Sequence, residues 1–151
     1  MNKLIYQPLL SAFFLVLSFS YANQLQACPL THKQAEIEIA GNKLLVDLAR
    51  SNTERRCGLS LRDKIPADYG MLFIFPKARR LQFWMRNTYV PLSIAFISEQ
   101  KKVLNIADME PNQTRTRYFS KGPAIYALEV PKGWFEQNNV KAGDTLTFRS
   151  N

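Results

Sequence analysis

Gly70-Met-Leu-Phe-Ile-Phe-Pro76, then Arg79-Arg-Leu-Gln-Phe-Trp-Met-Arg-Asn-Thr88, then Val90-Pro-Leu-Ser-Ile-Ala-Phe-Ile-Ser98 is the stretch that decides the fold. It holds three apolar runs, each short enough to be a strand rather than a helix. Met71–Phe75 is a continuous run stopped by Pro76, the pattern of a buried strand. Leu81, Phe83 and Met85 alternate with Gln82, Trp84 and Arg86, again a strand pattern. Val90-Pro91 breaks the ladder, because proline has no amide hydrogen to donate, and Leu92–Ile97 is the third run. A polar corner, Arg86-Asn87-Thr88, follows the aromatic pair Phe83-Trp84 directly. No other part of the chain sets so much hydrophobic mass beside so many hydrogen-bonding groups, so a site is expected here.

The flanking sequence repeats the theme. Ala35–Ala40 alternates, Gly41-Asn42 is a turn, and Leu44–Ala49 resumes, which is a hairpin signal. Ser51 and Thr53 are both candidate N-caps for a short helix ending near Cys57, with Glu54 in its first turn. Asp63–Gly70 is a loop punctuated by Pro66. Lys102–Met109, Ala124–Val130 and Thr145–Phe148 read as further strands, and Gly133–Asn138 as one helical turn. Glu110–Gly122 is the least regular segment. Many short strands, with no regular alternation with long helices, predict a mainly β fold. The expected form is a compact antiparallel β-sandwich or barrel, jelly-roll-like, with one or two short helices.

The first 27 residues are not part of that domain. Met1-Asn2-Lys3 opens with positive charge, and Leu9–Phe19 is apolar and uncharged. Small residues follow at Ser20, Ala22 and Ala27. This is the layout of a signal peptide, 1–27, cleaved after Ala22 or Ala27. A polar lead-in, 28–34, and a single β domain, 35–149, follow. Leu25-Gln-Ala-Cys28 also looks like a lipoprotein box, which would attach lipid at Cys28 and make the chain a membrane-anchored lipoprotein rather than a free periplasmic one. The other use of Cys28 is a disulfide with Cys57, since two cysteines in an exported chain suggest a bridge. Without Lys3 the chain carries 19 basic and 12 acidic side chains, a net +7. That balance favours anionic partners. For an exported chain these are anionic envelope lipid or polysaccharide, and no nucleic acid is expected.

Thr53-Glu-Arg-Arg-Cys-Gly-Leu59, Gly70-Met-Leu-Phe73, Phe83-Trp-Met-Arg-Asn-Thr88, Pro91-Leu92, Ala127-Leu-Glu-Val-Pro131 and Gly143-Asp144 together resemble the domain of unknown function 192 family. The likeness runs from about Glu36 to Phe148, and the Phe-Trp-Met-(Lys or Arg)-Asn-Thr block is its most specific mark. It implies a compact β-sandwich or barrel of the jelly-roll sort and supplies no mechanism. Ser60 and Ser93 depart from the family's usual methionine and aspartate, and Arg86 replaces the commoner lysine with a planar fork.

The candidate ligand-binding residues are Trp84, Arg86, Asn87, Thr88, Arg55 and Glu129. Tryptophan offers a flat apolar face, and arginine offers paired donors to an oxyanion. The competing reading is structural. Asn87-Thr88 is also what a turn between strands looks like, and Arg86 could form a fold-organising ion pair with Glu54 or Glu129. One histidine, His32, and no cluster at ligand spacing leave no metal and no cofactor to expect. Three functions follow as expectations. The first is non-enzymatic binding of an anionic or carbohydrate-bearing envelope component. The second is a hydrolase or lyase using Glu129 or Glu54 beside Arg86. The third is an accessory role through a protein partner.

Overall fold

In the computed structural model Cys28 and residues 32–149 are described; the leader expected at 1–27 lies outside them. β1 (Gln34–Ile39) and β2 (Asn42–Ala49) form the expected hairpin. Its turn falls on Ala40 and Gly41, at φ 48° and 79°, the twist that matches a two-residue hairpin loop. The chain then enters α1 (Asn52–Cys57). Ser51 caps it through its hydroxyl, which accepts from the Glu54 amide at 3.1 Å, while the Glu54 carboxylate accepts from the Ser51 amide at 2.7 Å.

β3 (Tyr69–Arg79) does not stop at Pro76. The strand runs past the proline through a register irregularity between Ile74 and Arg79, a place where a missing amide donor does least harm. The Leu81–Arg86 segment keeps its alternation, with Leu81, Phe83 and Met85 buried and the intervening residues exposed. Only β4 (Gln82–Phe83) pairs, with β7 (Tyr118–Phe119), as a small ribbon. The third run is β5 (Leu92–Ile97), every residue buried. It is followed by β6 (Val103–Met109), β8 (Ala124–Pro131), α2 (Trp134–Gln137) and β9 (Leu146–Phe148).

Seven strands make one sheet in the order β6-β5-β8-β3-β2-β1-β9. The mainly β class and the two short helices are as expected, but the antiparallel arrangement expected of a sandwich or barrel is not. β2 and β3 run parallel, so the sheet is mixed and curls as a half-barrel. The connection Arg50–Asp68, which carries α1, is long enough to return the chain to the same end of the sheet, as a parallel pair requires. The sheet's two edges meet at one end: Val103 N–H donates to the Asp144 carbonyl at 2.9 Å, and Leu146 N–H to that of Lys101 at 2.9 Å.

Alternation sorts the side chains into two cores. One face buries Ile37, Val46, Leu72, Leu128 and Val130 against Trp134 and Phe135 of α2. The other buries Met71, Phe73, Ile94, Phe96 and Ala127 under Leu59, Leu81, Phe83 and Met85. Phe83 fastens that cover edge-on to Phe73 and Phe96, at centroid distances of 4.9 and 5.8 Å.

Candidate functional site

The second face contains two buried acids in one cross-strand row: Asp47 on β2, Met71 on β3, Glu129 on β8 and Ile94 on β5. Both carboxyls are 4% exposed as residues, but their surroundings differ. The Asp47 carboxylate accepts from Arg62 at 2.8 Å and from Gln34 at 3.1 Å. Burial alone would raise its pKa. Hydrogen bonds from Tyr69, Arg62 and Gln34, with the Arg62 charge, outweigh that and hold it below the usual carboxylate value. Glu129 has apolar strand neighbours on both sides, and among the described residues its side chain makes no hydrogen bond or ion pair. Desolvation pushes its pKa up to about 8, which favours the un-ionised acid, a form able to donate its proton to a hydrogen bond.

Glu129 lines a cavity of about 40 Å³, walled by Gly58 and Leu59, by Phe73 and Phe83, and by Arg55, Arg56 and Arg86. Gly58 keeps this space open. Its φ of +53° belongs to the left-handed region, and an added Cβ would stand 3.2 Å from the Phe73 ring and 3.8 Å from Glu129 Oε2. The cavity shares Arg55, Arg56, Phe83 and Trp84 with a wider groove of about 330 Å³ that runs past Phe75, Arg79 and Gln82. That groove continues over Gln82, Phe83, Trp84 and Arg117.

The groove is an array of arginines stacked on aromatic rings. The Arg55 and Arg79 guanidinium carbons lie 5.1 and 5.3 Å from the Phe75 centroid. Those of Arg86 and Arg117 lie 5.6 and 4.6 Å from the Trp84 centroid. Arg80 stacks similarly on Phe119 at 5.3 Å. A guanidinium over a ring face can still use its edge donors. Those of Arg55 and Arg117 are partly spent on the protein, and those of Arg79 and Arg86 make no hydrogen bond among the described residues. Among the described residues no acidic side chain lines either part of the groove. Among the described residues Arg79, Arg86 and Arg117 have no carboxylate partner.

The sequence candidates divide cleanly. Trp84, Arg86, Arg55 and Glu129 come together at the cavity and groove, and Trp84 is 43% exposed there. Arg55 is also tied into the fold: it donates to the Ile74 carbonyl at 2.9 Å, to Asn52 at 2.6 Å and to the Arg50 carbonyl. Thr88 lines the cavity but is buried. Asn87 is the turn residue, at φ 55°, and its carbonyl accepts from Leu61 N–H at 2.9 Å. The ion pairs considered for Arg86 are not formed: Glu54 serves the α1 cap, and Glu129 has no partner among the described residues. Ser93 is a packing residue, donating to Asp108 at 2.5 Å and accepting from Gly133 N–H at 2.9 Å. Cys28 and Cys57 are bonded, with Cα atoms 5.6 Å apart, which ties the lead-in to the last residue of α1 at the cavity wall. Sequence reasoning missed Arg79, Arg117, Phe75 and Gly58. Their signals were the Arg79-Arg80 pair between two apolar runs and Arg117 beside Tyr118-Phe119, the latter inside the segment read as least regular.

Residues 35–148 match the profile of DUF192, described as Uncharacterized ACR. Over 80 residues the chain is 26% identical to the UPF0127 protein PF1050 of Pyrococcus furiosus, a match that covers 52% of this chain and 66% of that protein's length. Two crystal structures are similar at 29% identity. One is a proposed transcription regulator from Sinorhizobium meliloti 1021, with a TM-score of 0.75 over 80% of this chain and 97% of that one. The other is a protein of unknown function from Novosphingobium aromaticivorans, with a TM-score of 0.73 over 79% and 89%.

Proposed function

The chain belongs to the DUF192 family, and since membership brings no activity with it, we propose from the groove itself that this is an exported domain that binds an acidic polysaccharide of the cell envelope without transforming it. The observation that carries this reading is the set of stacked, carboxylate-free arginines on Phe75 and Trp84. The donors of Arg79 and Arg86, and those of Arg117 not spent on the Thr114 and Thr116 carbonyls, are available to an oxyanion, and a charge-assisted hydrogen bond of this kind contributes about 1.5–3 kcal/mol. The net +7 favours the encounter with a polyanion. Export is supported by the leader-like start and by the Cys28–Cys57 bridge, whose chemistry suits an oxidising compartment and leaves no thiol at Cys28 for a lipid. A concave groove with a cavity beneath it favours a chain-like polymer over a flat lipid surface.

Affinity chromatography on immobilised polygalacturonate tests the proposal. Retention at low ionic strength, release by salt, and no retention on neutral dextran are expected. The double variant Arg86→Ala/Arg117→Ala should lose at least tenfold in affinity. Absence of retention at low salt, or equal retention of the double variant, overturns it. The name of the S. meliloti neighbour and the exposed aromatics make duplex DNA and phosphatidylglycerol vesicles the necessary comparison arms. Stronger binding to either would reassign the groove to that partner.

A hydrolase or lyase is the second reading, favoured by the neutral carboxyl of Glu129. Two-carboxylate glycoside hydrolysis asks for a second acid roughly 5–9.5 Å away, and among the described residues none lines the groove. New reducing ends or unsaturated products released from polygalacturonate would establish the enzyme instead.

A further inference from the structure

We propose that the cavity beneath the groove is its deep subsite, in which the carboxylic acid of Glu129 donates a hydrogen bond to one oxyanion of the bound polymer. This rests on the groove being a polyanion site and adds the floor of that site and a pH dependence to it.

The geometry is that of a built subsite. Glu129 is almost wholly buried, sits at the centre of the sheet between Met71 and Ile94, and has no partner in the protein among the described residues. A buried acid kept for the fold alone has the surroundings of Asp47 in the same row, with Arg62 and Gln34 on its oxygens. Glu129 has instead about 40 Å³ of open space in front of it, room for one or two waters or one oxygen-bearing substituent. Gly58 is the residue that leaves this space unfilled. The exit is flanked by Arg55, Arg56 and Arg86, so an anion that enters is held by positive charge at the mouth and by an O–H donor at the floor.

Protonation decides whether the floor attracts or repels. The un-ionised acid donates to an oxyanion, whereas the carboxylate opposes it with like charge. The charged and titratable groups facing it are few. From α1 come Arg55 and Arg56, and from the corner after β4 comes Arg86. Cys57 is bonded and does not titrate. β3 and β5 present Met71, Phe73 and Ile94, which carry no charge. Asp47, beyond Met71, is satisfied by Arg62. Over the pH range in which Glu129 releases its proton, the arginines keep their charge. Affinity is therefore expected to fall as pH rises through about 8, where burial has moved the Glu129 carboxyl.

Titration calorimetry with an oligogalacturonate, at constant low ionic strength from pH 6.5 to 9.5, tests this on the intact disulfide-bonded protein. The wild type should lose tenfold or more in affinity across that range. Glu129→Gln, which keeps a donor that cannot ionise, should bind as the wild type does at pH 6.5 and stay flat. Glu129→Leu, which removes the donor without adding charge, should bind weakly at every pH. The carbon-13 shift of the Glu129 carboxyl, followed with and without ligand, should show ligand raising its titration midpoint. If the wild type and Glu129→Gln share one pH profile, or the midpoint ignores the ligand, the cavity holds water only and the subsite is overturned while the groove stands. If nothing binds at pH 6.5 and low salt, the groove and its subsite fall together.

Discussion

Asp47 and Glu129 separate what a carboxyl does for a fold from what it costs one. The Asp47 carboxyl lies below its ordinary value, so the stability it contributes is present above pH 4 and is lost as pH falls through its folded value. Glu129 has the opposite sign. Its folded pKa of about 8 stands above the ordinary 4.5, so the unfolded chain ionises first. Below pH 4.5 both states hold the proton and nothing is lost. Between pH 4.5 and 8 the unfolded state gains, and above 8 the cost is fully developed, on the order of 5 kcal/mol. Glu129→Gln removes that slope. Urea unfolding at pH 5, 6.5 and 8 should show the wild type losing stability at each step relative to the variant. Parallel pH profiles would mean that Glu129 is solvated or paired in solution. The residue was visible in the sequence as the one charge inside the strand Ala124–Val130. Its lack of a partner was not visible, because Arg86, the partner it seemed to have, is held on Trp84 instead.

Between elements, the decisive contact is β3 against β8 and β2. Gly70 lies at the start of this packing, where a Cβ would stand 2.6 Å from the Glu129 carbonyl oxygen and 3.0 Å from Val130 Cγ1. The obstacle at 2.6 Å is backbone at the centre of the sheet and cannot swing aside. Gly70→Ala should therefore destabilise by about 2 kcal/mol or more, read as a lowered urea midpoint at unchanged slope. Gly122→Ala, whose Cβ would have nothing nearer than 3.9 Å, should leave the midpoint within error. Equal midpoints for the two variants would show that β3 and β8 can separate at this point. The strands themselves were legible because period-two alternation survives in the burial of Leu81, Phe83 and Met85. The direction of β3 was not, because alternation is the same in parallel and antiparallel strands. Only the length of Arg50–Asp68, too long for a hairpin loop, pointed to the parallel pairing. The arginine groove was half legible for a related reason. Trp84-Met85-Arg86 is contiguous, whereas Arg79 and Arg117 join it through the β3 irregularity and the β4–β7 ribbon.

Across the whole molecule, one sheet with two buried faces leaves its functional surface at the margin, where α1 and the β4–β7 ribbon cap the second core. α1 is only six residues long and buries none of them, so packing holds it weakly. Its capping box and the Cys28–Cys57 bond take over that task at its two ends. The bond closes a loop with a sequence separation of 29, which on loop entropy contributes about 3.6 kcal/mol. For a domain of this size that corresponds to roughly 10 °C in Tm. Reduction with dithiothreitol, or Cys28→Ser/Cys57→Ser, should lower the Tm by that amount without changing the far-ultraviolet circular dichroism of the sheet. The loss should also reach the groove, because Arg55 and Arg56 ride on the helix that the bond anchors. Polygalacturonate affinity of the reduced protein, measured well below its Tm, is expected to fall several-fold. An unchanged affinity beside a lowered Tm would place the arginine array on the β ribbon alone, with Trp84 rather than α1 as its anchor.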